Sequence, residues 1–437
     1  MKIKIVFLGK YNNKGIGGGD RKYNILYENL NVNFFEKYFI YITDKKKLIS
    51  IESKNYVLTS DMILDFLFEN NIDYVYFAGA DILNDIKENI IKNFVCLINV
   101  NFVHCYLKNP NVLNLIISKT EHFKLMSIHS NLINSYVVYN PINFDLWTKL
   151  SESTDHSYRS KLSNKKFIIG RIARSEPSKW SFLIISTLFE LQFKKNYKYG
   201  FIFVGMPLLY RFFLKIFLNK IMYNSIIFLP EQKEYSEIAK FYKSIDIFWQ
   251  TSGVGESFGN VIAESFCFKI PVFSDYKIFY NNGKVKKNLY DAQIELVDNN
   301  INGFYLNTPK SIISKLDSLS KHKIDVLGKN GYSKVKNIYN VKVGVNTLAK
   351  ILYDYGRINL GYEKDDNFEQ IVKIPGKNEI NEYKYEYLKR IEICNKNNKI
   401  NFSYFLLKTL WEFVEFLYLL LRKILIKFFS FNLEKIY

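Results

Sequence analysis

Four cysteines are all that the 437 residues contain. Cys96, Cys105, Cys267 and Cys394 stand singly, without any Cys-x-x-Cys pair, and the five histidines are scattered. Neither a disulfide framework nor a zinc site is indicated. Arginine is scarce as well, with 8 Arg against 53 Lys among the 61 basic residues. Arg is the side chain suited to bidentate recognition of phosphates and bases, so the formal charge of +19 does not read as a nucleic-acid footprint. A membrane surface or anionic substrates fit that charge better. The Lys, Asn, Ile, Tyr and Phe loading also matches an AT-rich coding bias. The start of the chain lacks a secretory core, because the apolar run Ile5 to Leu8 is far shorter than that of a signal peptide. The expectation is a chain that starts and stays in a reducing cytoplasm.

What is present is apolar material: a 48% hydrophobic composition excludes a disordered polar chain, and the length asks for two or three domains. Residues 3 to 8 read as a buried strand that runs into the glycine loop 15 to 19, followed by a helix from Asp20 to Leu30. Apolar runs recur at 74–78, 94–100, 113–118 and 136–139, which predicts an open, mostly parallel sheet. The polar stretch 151–166 then interrupts the pattern and marks a boundary. A second series follows at 167–169, 201–204, 226–229, 245–249 and 272–273. The fold expected is therefore α/β, with one lobe over 1–150, a linker over 151–166 and a second lobe over 167–350. A polar helical extension over 351–400 and an amphipathic helix over 401–437 complete the chain.

The most specific segment is GESFGNVIAESFCFKIPVF, residues 255–273, which carries Glu256 and Glu264 eight positions apart. Gly253 and Gly255 allow a tight loop, Ser257 is placed to cap, and Asn260 to Phe268 form a helix that stops before Pro271. The loop then lies at the carboxyl edge of the sheet. If the segment were helical throughout, eight residues would advance about 12 Å, too far for the two carboxylates to share one proton or one metal. A nucleotide-sugar fits that spacing. One carboxylate accepts from sugar hydroxyls, the other from ribose hydroxyls, and the diphosphate lies near a helix N-terminus.

This segment resembles the signature of the retaining glycosyltransferases of family 4, the glycosyl transferases group 1, whose GT-B fold has two Rossmann-like lobes facing across a cleft. Further segments resemble the same family in the right order: VVYNPINFDLW at 137–147, GRIARSEPSKW at 170–180, FIFVGMP at 201–207, FYKSIDIFWQTS at 241–252 and ELVDNNINGFYL at 295–306. The likeness covers about residues 1 to 350 and is stronger in the second lobe. Tyr242, Asp246 and the segments 137–147 and 295–306 are read as scaffold.

The resemblance implies transfer of a sugar from a nucleotide diphosphate to an acceptor hydroxyl, with retained anomeric configuration and without a bound metal or cofactor. It implies that Glu256 contacts the donor sugar, and that Arg174 and Lys179 clamp the departing diphosphate. Glu264, Ser257, Phe258, Gly259 and Asn260 are implied in donor binding. Arg171 stands in reserve, its other reading being a structural pairing beneath the loop. Gly17, Gly18 and Gly19 are implied as the loop approaching phosphates and acceptor, and His104 as an outside candidate near the sugar. The chain departs from the pattern before Pro271, where relatives have a small residue or glycine and this chain has Phe268, Lys269 and Ile270.

The segment 402–429 carries six charges, Lys408, Glu412, Glu415, Arg422, Lys423 and Lys427, which on a helix fall within an arc of about 140°. They interrupt the roughly 20 apolar residues that a span needs. An interfacial helix on an anionic membrane is the favoured reading, and docking onto the body of the protein or onto a partner chain the other. Residues 208–220 pose the same pair of alternatives. The expectation is a cytoplasmic, membrane-peripheral glycosyltransferase building a lipid-linked or cell-surface glycan. A nucleotide-sugar epimerase of the same fold and a non-catalytic nucleotide- or glycan-binding subunit stand as alternatives.

Overall fold

The computed structural model describes residues 2–10, 18–42, 49–52, 55–77, 84–129, 131–154, 158–276, 280–281, 284–286, 289–361, 382–383, 385–389 and 411. They form two compact α/β units. Unit 1 comprises Met1–Phe144, Phe279–Glu295 and Lys334–Tyr387, and unit 2 comprises Asp145–Ile278, Leu296–Ser333 and Leu388–Tyr437.

The strands of unit 1 are β1 (Ile3–Lys10), β2 (Phe35–Ile42), β3 (Ile49–Glu52), β4 (Asn55–Leu58), β5 (Tyr74–Phe77), β6 (Val95–Val100), β7 (Val112–Ile116) and β8 (Ser135–Val137). They lie in the order β3-β4-β2-β1-β5-β6-β7-β8, parallel throughout except for β3 against β4. Unit 2 holds β9 (Phe167–Ile172), β10 (Tyr199–Val204), β11 (Ile226–Leu229), β12 (Ile247–Gln250) and β13 (Val272–Ser274). After a short hairpin in unit 1, β14 (Tyr280–Asn281) with β15 (Lys284–Val285), the last strand is β16 (Gly303–Tyr305) in unit 2. The second sheet runs β11-β10-β9-β12-β13-β16, all parallel. Its strands β9, β10 and β12 are buried along their whole length, which is why they read as continuous apolar runs rather than alternating ones.

Helices alternate with these strands. The first five are α1 (Gly18–Asn29), α2 (Ser60–Glu69), α3 (Asn84–Asn93), α4 (Lys119–Ile128) and α5 (Phe144–Ser153). Next come α6 (Phe182–Phe193), α7 (Leu208–Phe217), α8 (Lys220–Tyr223), α9 (Tyr235–Lys243) and α10 (Asn260–Cys267). The last are α11 (Gln293–Leu296), α12 (Pro309–Ser318), α13 (Lys321–Lys334) and α14 (Val341–Asn359).

The division of the chain differs from a simple cut at 150 and 350. The stretch 151–166 includes the end of α5 and a 3-10 turn, Arg159–Leu162. Arg159 there donates to Asp246 at 3.0 Å, a tie within unit 2. More consequential is the return of the chain: Val345, Leu348, Ile351 and Leu352 of α14 bury themselves in the core of unit 1 with Ile5, Phe7 and Leu26. An amphipathic face goes where apolar surface is unpaired, whatever its position in the sequence. Strand β2, FEKYFIYI, was not among the expected runs, because Glu36 and Lys37 interrupt its apolar pattern.

Unit 2 packs its largest cluster around Trp180, Trp249, Phe201, Phe203 and Tyr210. Trp411, the one described residue of 402–429, is helical and buried there. Its ring stacks on Phe182 and meets Tyr210 and Phe213 edge-on. The remainder of that segment, like 362–381 and Gly17, lies outside the described residues.

Candidate active site

In both sheets the chain works outward from one strand and then returns to that strand's other side. In unit 2 this reversal falls between β9 and β12, and such a switch point leaves a crevice at the strands' carboxyl ends. Two loops rise there, 173–181 after β9 and 251–259 after β12. They are stitched to each other. Gly253 N donates to Ser178 O at 3.0 Å, and the Ser252 hydroxyl donates to the same oxygen at 3.2 Å. A β-carbon at position 253 would stand 3.1 Å from Ser178 O, so the approach needs glycine or a local shift.

Arg171, on β9, anchors the site from below. Its side chain is wholly buried, and it donates to Gln250 Oε1 at 2.5 Å, to Lys179 O at 2.8 Å and to Ile172 O at 3.2 Å. Burial pulls its pKa down, while Glu256 and Asp275 oppose that shift. Gln250, the last residue of β12, turns its amide nitrogen to Glu256 Oε1 at 3.1 Å. The other Glu256 oxygen accepts from Lys179 Nζ at 3.0 Å. One connected line of polar groups thus runs from the buried guanidinium to a partly exposed ion pair. Lys179 is 24% and Glu256 14% exposed.

Gln250 was not singled out from the sequence. Its only signal was an amide at the end of the otherwise apolar strand run IFWQ. Asp275 was missed too: it sits just past β13, is buried, and accepts from Thr251 Oγ1 at 3.0 Å and Ser252 N at 3.3 Å, bracing the turn after β12.

Arg174 lies outside this line. Its guanidinium pairs with Glu176 at 3.1 Å on the exposed part of the loop, and its carbonyl accepts from Trp180 Nε1 at 3.0 Å. The buried indole therefore fixes the loop backbone and leaves the Arg174 side chain at the surface.

The loop after β12 leads into α10 through Gly255 and Gly259, both with positive φ, +81° and +101°. Gly259 is the N-cap, without a side-chain hydrogen bond; Ser257 does not cap the helix as expected. A helix start without a capping side chain presents backbone N–H groups suited to an anion. Phe258 is buried, Ser257 and Asn260 half-buried.

Glu264 faces a different set of partners. It is buried in α10, and the Tyr242 hydroxyl of α9 lies 3.1 Å from its Oε2 and 3.1 Å from Val261 O. Burial, then the carboxylate itself, holds the Tyr242 phenol well above its usual range, so it remains a donor. The two glutamates are separately held, Glu256 in the loop and Glu264 on the helix.

The turn after α10 accounts for the unusual lysine. Lys269 has φ +57°, and Ile270 N donates to Ser265 O at 3.1 Å, so Lys269 fills the left-handed position that commonly ends a helix and favours glycine. Its Nζ lies 5.1 Å from the Tyr332 ring centroid. Backbone packing above it is tight: a β-carbon on Gly328 would come within 1.8 Å of Lys269 O.

In unit 1, Gly18 and Gly19 open α1 and are the first described residues after β1. His104 is exposed on a 3-10 turn and stacks on Phe102 with centroids 5.6 Å apart. Among the described residues no three His, Cys, Asp or Glu side chains gather into a potential metal site.

The span containing β9, α10 and the linked loops, residues 153–323, matches the family model described as Glycosyl transferases group 1. The likeness of fold reaches beyond that span, over about four-fifths of the chain. The structure of Anabaena Alr3699/HepE in complex with UDP and glucose is similar with a TM-score of 0.59 at 15% identity, over 80% of this chain and 99% of that one. A glycosyltransferase from Rickettsia africae gives 0.59 at 17% identity, over 81% and 98%. Sucrose-phosphate synthase from Thermosynechococcus elongatus gives 0.56 at 12%, over 82% and 99%. No curated protein sequence matches the chain. The span that matches the group 1 model thus sits in a two-lobed GT-B fold, and the Lys179–Glu256 pair lies within that span.

Proposed function

We propose that this chain transfers a sugar from a nucleotide diphosphate donor to an acceptor hydroxyl, with retention of anomeric configuration. The observation that carries this reading is the line Arg171–Gln250–Glu256–Lys179 at the β9/β12 switch point, inside the group 1 domain. Without donor, Lys179 and Glu256 neutralise each other. A diphosphate draws Lys179 toward its own charge, joined by Arg174 and the start of α10, and a positive clamp is what a departing diphosphate requires. Glu256 is then left to accept from sugar hydroxyls, its orientation kept by Gln250. Glu264 serves the ribose, with Ser257, Phe258, Gly259 and Asn260 beside it. Gly17, Gly18, Gly19 and His104 are assigned to the acceptor side.

In the bond-making step the acceptor oxygen attacks C1 on the face from which the diphosphate leaves. The C1–O bond to phosphate breaks, the new C1–O bond forms, and a phosphate oxygen takes the acceptor's proton. This places the charge work on Lys179 and Arg174, without a metal. We place the reaction in the cytoplasm, at the inner face of a membrane, with a lipid-linked or cell-surface glycan as acceptor and 402–429 as a further membrane contact.

A panel of nucleotide-sugars, followed by thermal shift and by hydrolysis, tests the reading. One donor is expected to raise the melting temperature and to release a sugar whose anomeric configuration matches the donor's. Stabilisation without turnover marks a binding subunit, and an epimerised sugar formed without acceptor marks an epimerase; either result displaces the proposal.

A further inference from the structure

Helix α7 is apolar on two opposite faces, and only one of them is used. Tyr210 and Leu214 point into unit 2 and are fully buried, and Leu218 just beyond the helix is largely so. Phe212 and Ile216, set half a turn away, face outward. Together with Phe193 at the end of α6, Phe217, and Ile221 in α8, they are 53% to 81% exposed. Other exposed large apolar side chains, such as Val32, Phe68, Ile301 and Ile358, are far apart in the chain. Here five fall within 193–221, on adjoining elements.

The platform beneath them is firm. Gln192 donates to Phe217 O at 3.2 Å and accepts from Asn219 N at 2.6 Å, tying the ends of α6 and α7. Asn219 in turn caps α8. Phe213 packs against Phe189 and Trp411 on the inner side and touches the exposed Phe217, so the outer aromatics stand on a filled layer.

The stretch that builds this face carries charge of one sign. From Leu191 to Pro230 the sequence holds six basic residues and neither Asp nor Glu. Arg211 is engaged with Met206 O and Leu229 O, and Lys194 with Glu190. Lys195, Lys198, Lys215 and Lys220 are exposed.

We infer that the outer face of α7, with Phe193 and α8, docks onto an anionic lipid surface. Apolar side chains enter the interface while lysines at their flank meet the headgroups, the arrangement of an interfacial amphipathic helix. A second copy of the chain suits this face less well. A two-fold contact would set each copy's lysines against the other's without an acidic residue of 191–230 to offset them.

The test uses the full chain and vesicle flotation, which does not depend on the sugar-transfer reading. Wild-type protein is expected to float with phosphatidylcholine vesicles carrying about one-third phosphatidylglycerol, poorly with phosphatidylcholine alone, and less as salt is raised. The triple variant Phe212→Ser, Ile216→Ser, Ile221→Ser should bind the anionic vesicles about tenfold less, with an unchanged melting temperature. The charge variant Lys195→Glu, Lys215→Glu, Lys220→Glu should fall by about as much and lose its salt dependence. Flotation of both variants at the wild-type level overturns the inference. So does a wild-type dimer in sedimentation that either variant converts to monomer, because that assigns the face to a second copy.

Discussion

The two sheets reverse their strand order in the same way, at β9/β12 in unit 2 and at β1/β5 in unit 1, yet the residues there differ. At β9/β12 the strands deliver Arg171 and Gln250, and a polar line leads out to Lys179 and Glu256. At β1/β5 the strands bring Phe7, Leu8, Tyr76 and Phe77, all buried, with Gly9 and Lys10 ending β1, and a glycine-rich stretch follows in the sequence. Unit 1 keeps its buried polar groups elsewhere. Glu295 accepts from Lys119 N, Thr120 N and the Thr120 hydroxyl at the start of α4, and Lys124 donates to Leu289 O. Burial of charge is therefore not what distinguishes a site. In unit 1 Glu295 is held by the backbone and hydroxyl at the start of α4, and Lys124 by Leu289 O and the buried Glu121, whereas in unit 2 the line ends at a partly exposed ion pair.

That contrast can be broken most forcefully at its exposed end. Lys179→Ala and Glu256→Gln should each lower sugar transfer by roughly 100-fold or more, with the thermal melt unchanged. Wild-type turnover in either variant would return the pair to the scaffold. Glu295→Gln should do the reverse. It weakens three accepted hydrogen bonds in a buried place, so stability should fall by about 1–3 kcal/mol in chemical denaturation while donor affinity holds.

A third test uses acid. Burial lowers the His122 pKa from the ordinary 6.5 to about 4. The unfolded chain then binds a proton that the folded chain refuses, so the stability contribution is full above about pH 6.5 and is lost as pH falls toward 4. The loss should reach on the order of 2 kcal/mol near pH 5, and His122→Gln should flatten that limb. An unchanged acid limb in the variant would show that the imidazole is not the group responsible. The smallest expected effect concerns Gln250. Gln250→Ala leaves both charges in place and removes one donor to Glu256 Oε1, so kcat should fall about tenfold with KM for the donor little changed. A fall in KM-side affinity alone would make Gln250 a part of donor binding rather than a positioning residue.

Much of the second lobe was legible from the chain alone, because its cues are local. The continuous apolar runs, the glycines at 253, 255 and 259 and the helix ending before Pro271 are written within a few residues of where they act. Lys269 was visible as a departure, and its reason, a left-handed helix end seated against Gly328, was not. Strand β2 was hidden by Glu36 and Lys37. The sequence favoured the membrane reading of 402–429 over docking onto protein, and Trp411, its one described residue, has a seat on Phe182, Tyr210 and Phe213.

What the sequence by itself determined is the alternation of strands and helices and the placing of Glu256 and Glu264 around a helix start, since backbone propensity and apolar periodicity act over short spans. Only the tertiary structure decided that α14 belongs to unit 1 and that Gln250 joins Arg171 to Glu256. It also decided that one face of α7 stays open to solvent. Each of these depends on which distant surfaces meet, and burial is settled by the partner that arrives rather than by the residues that await it.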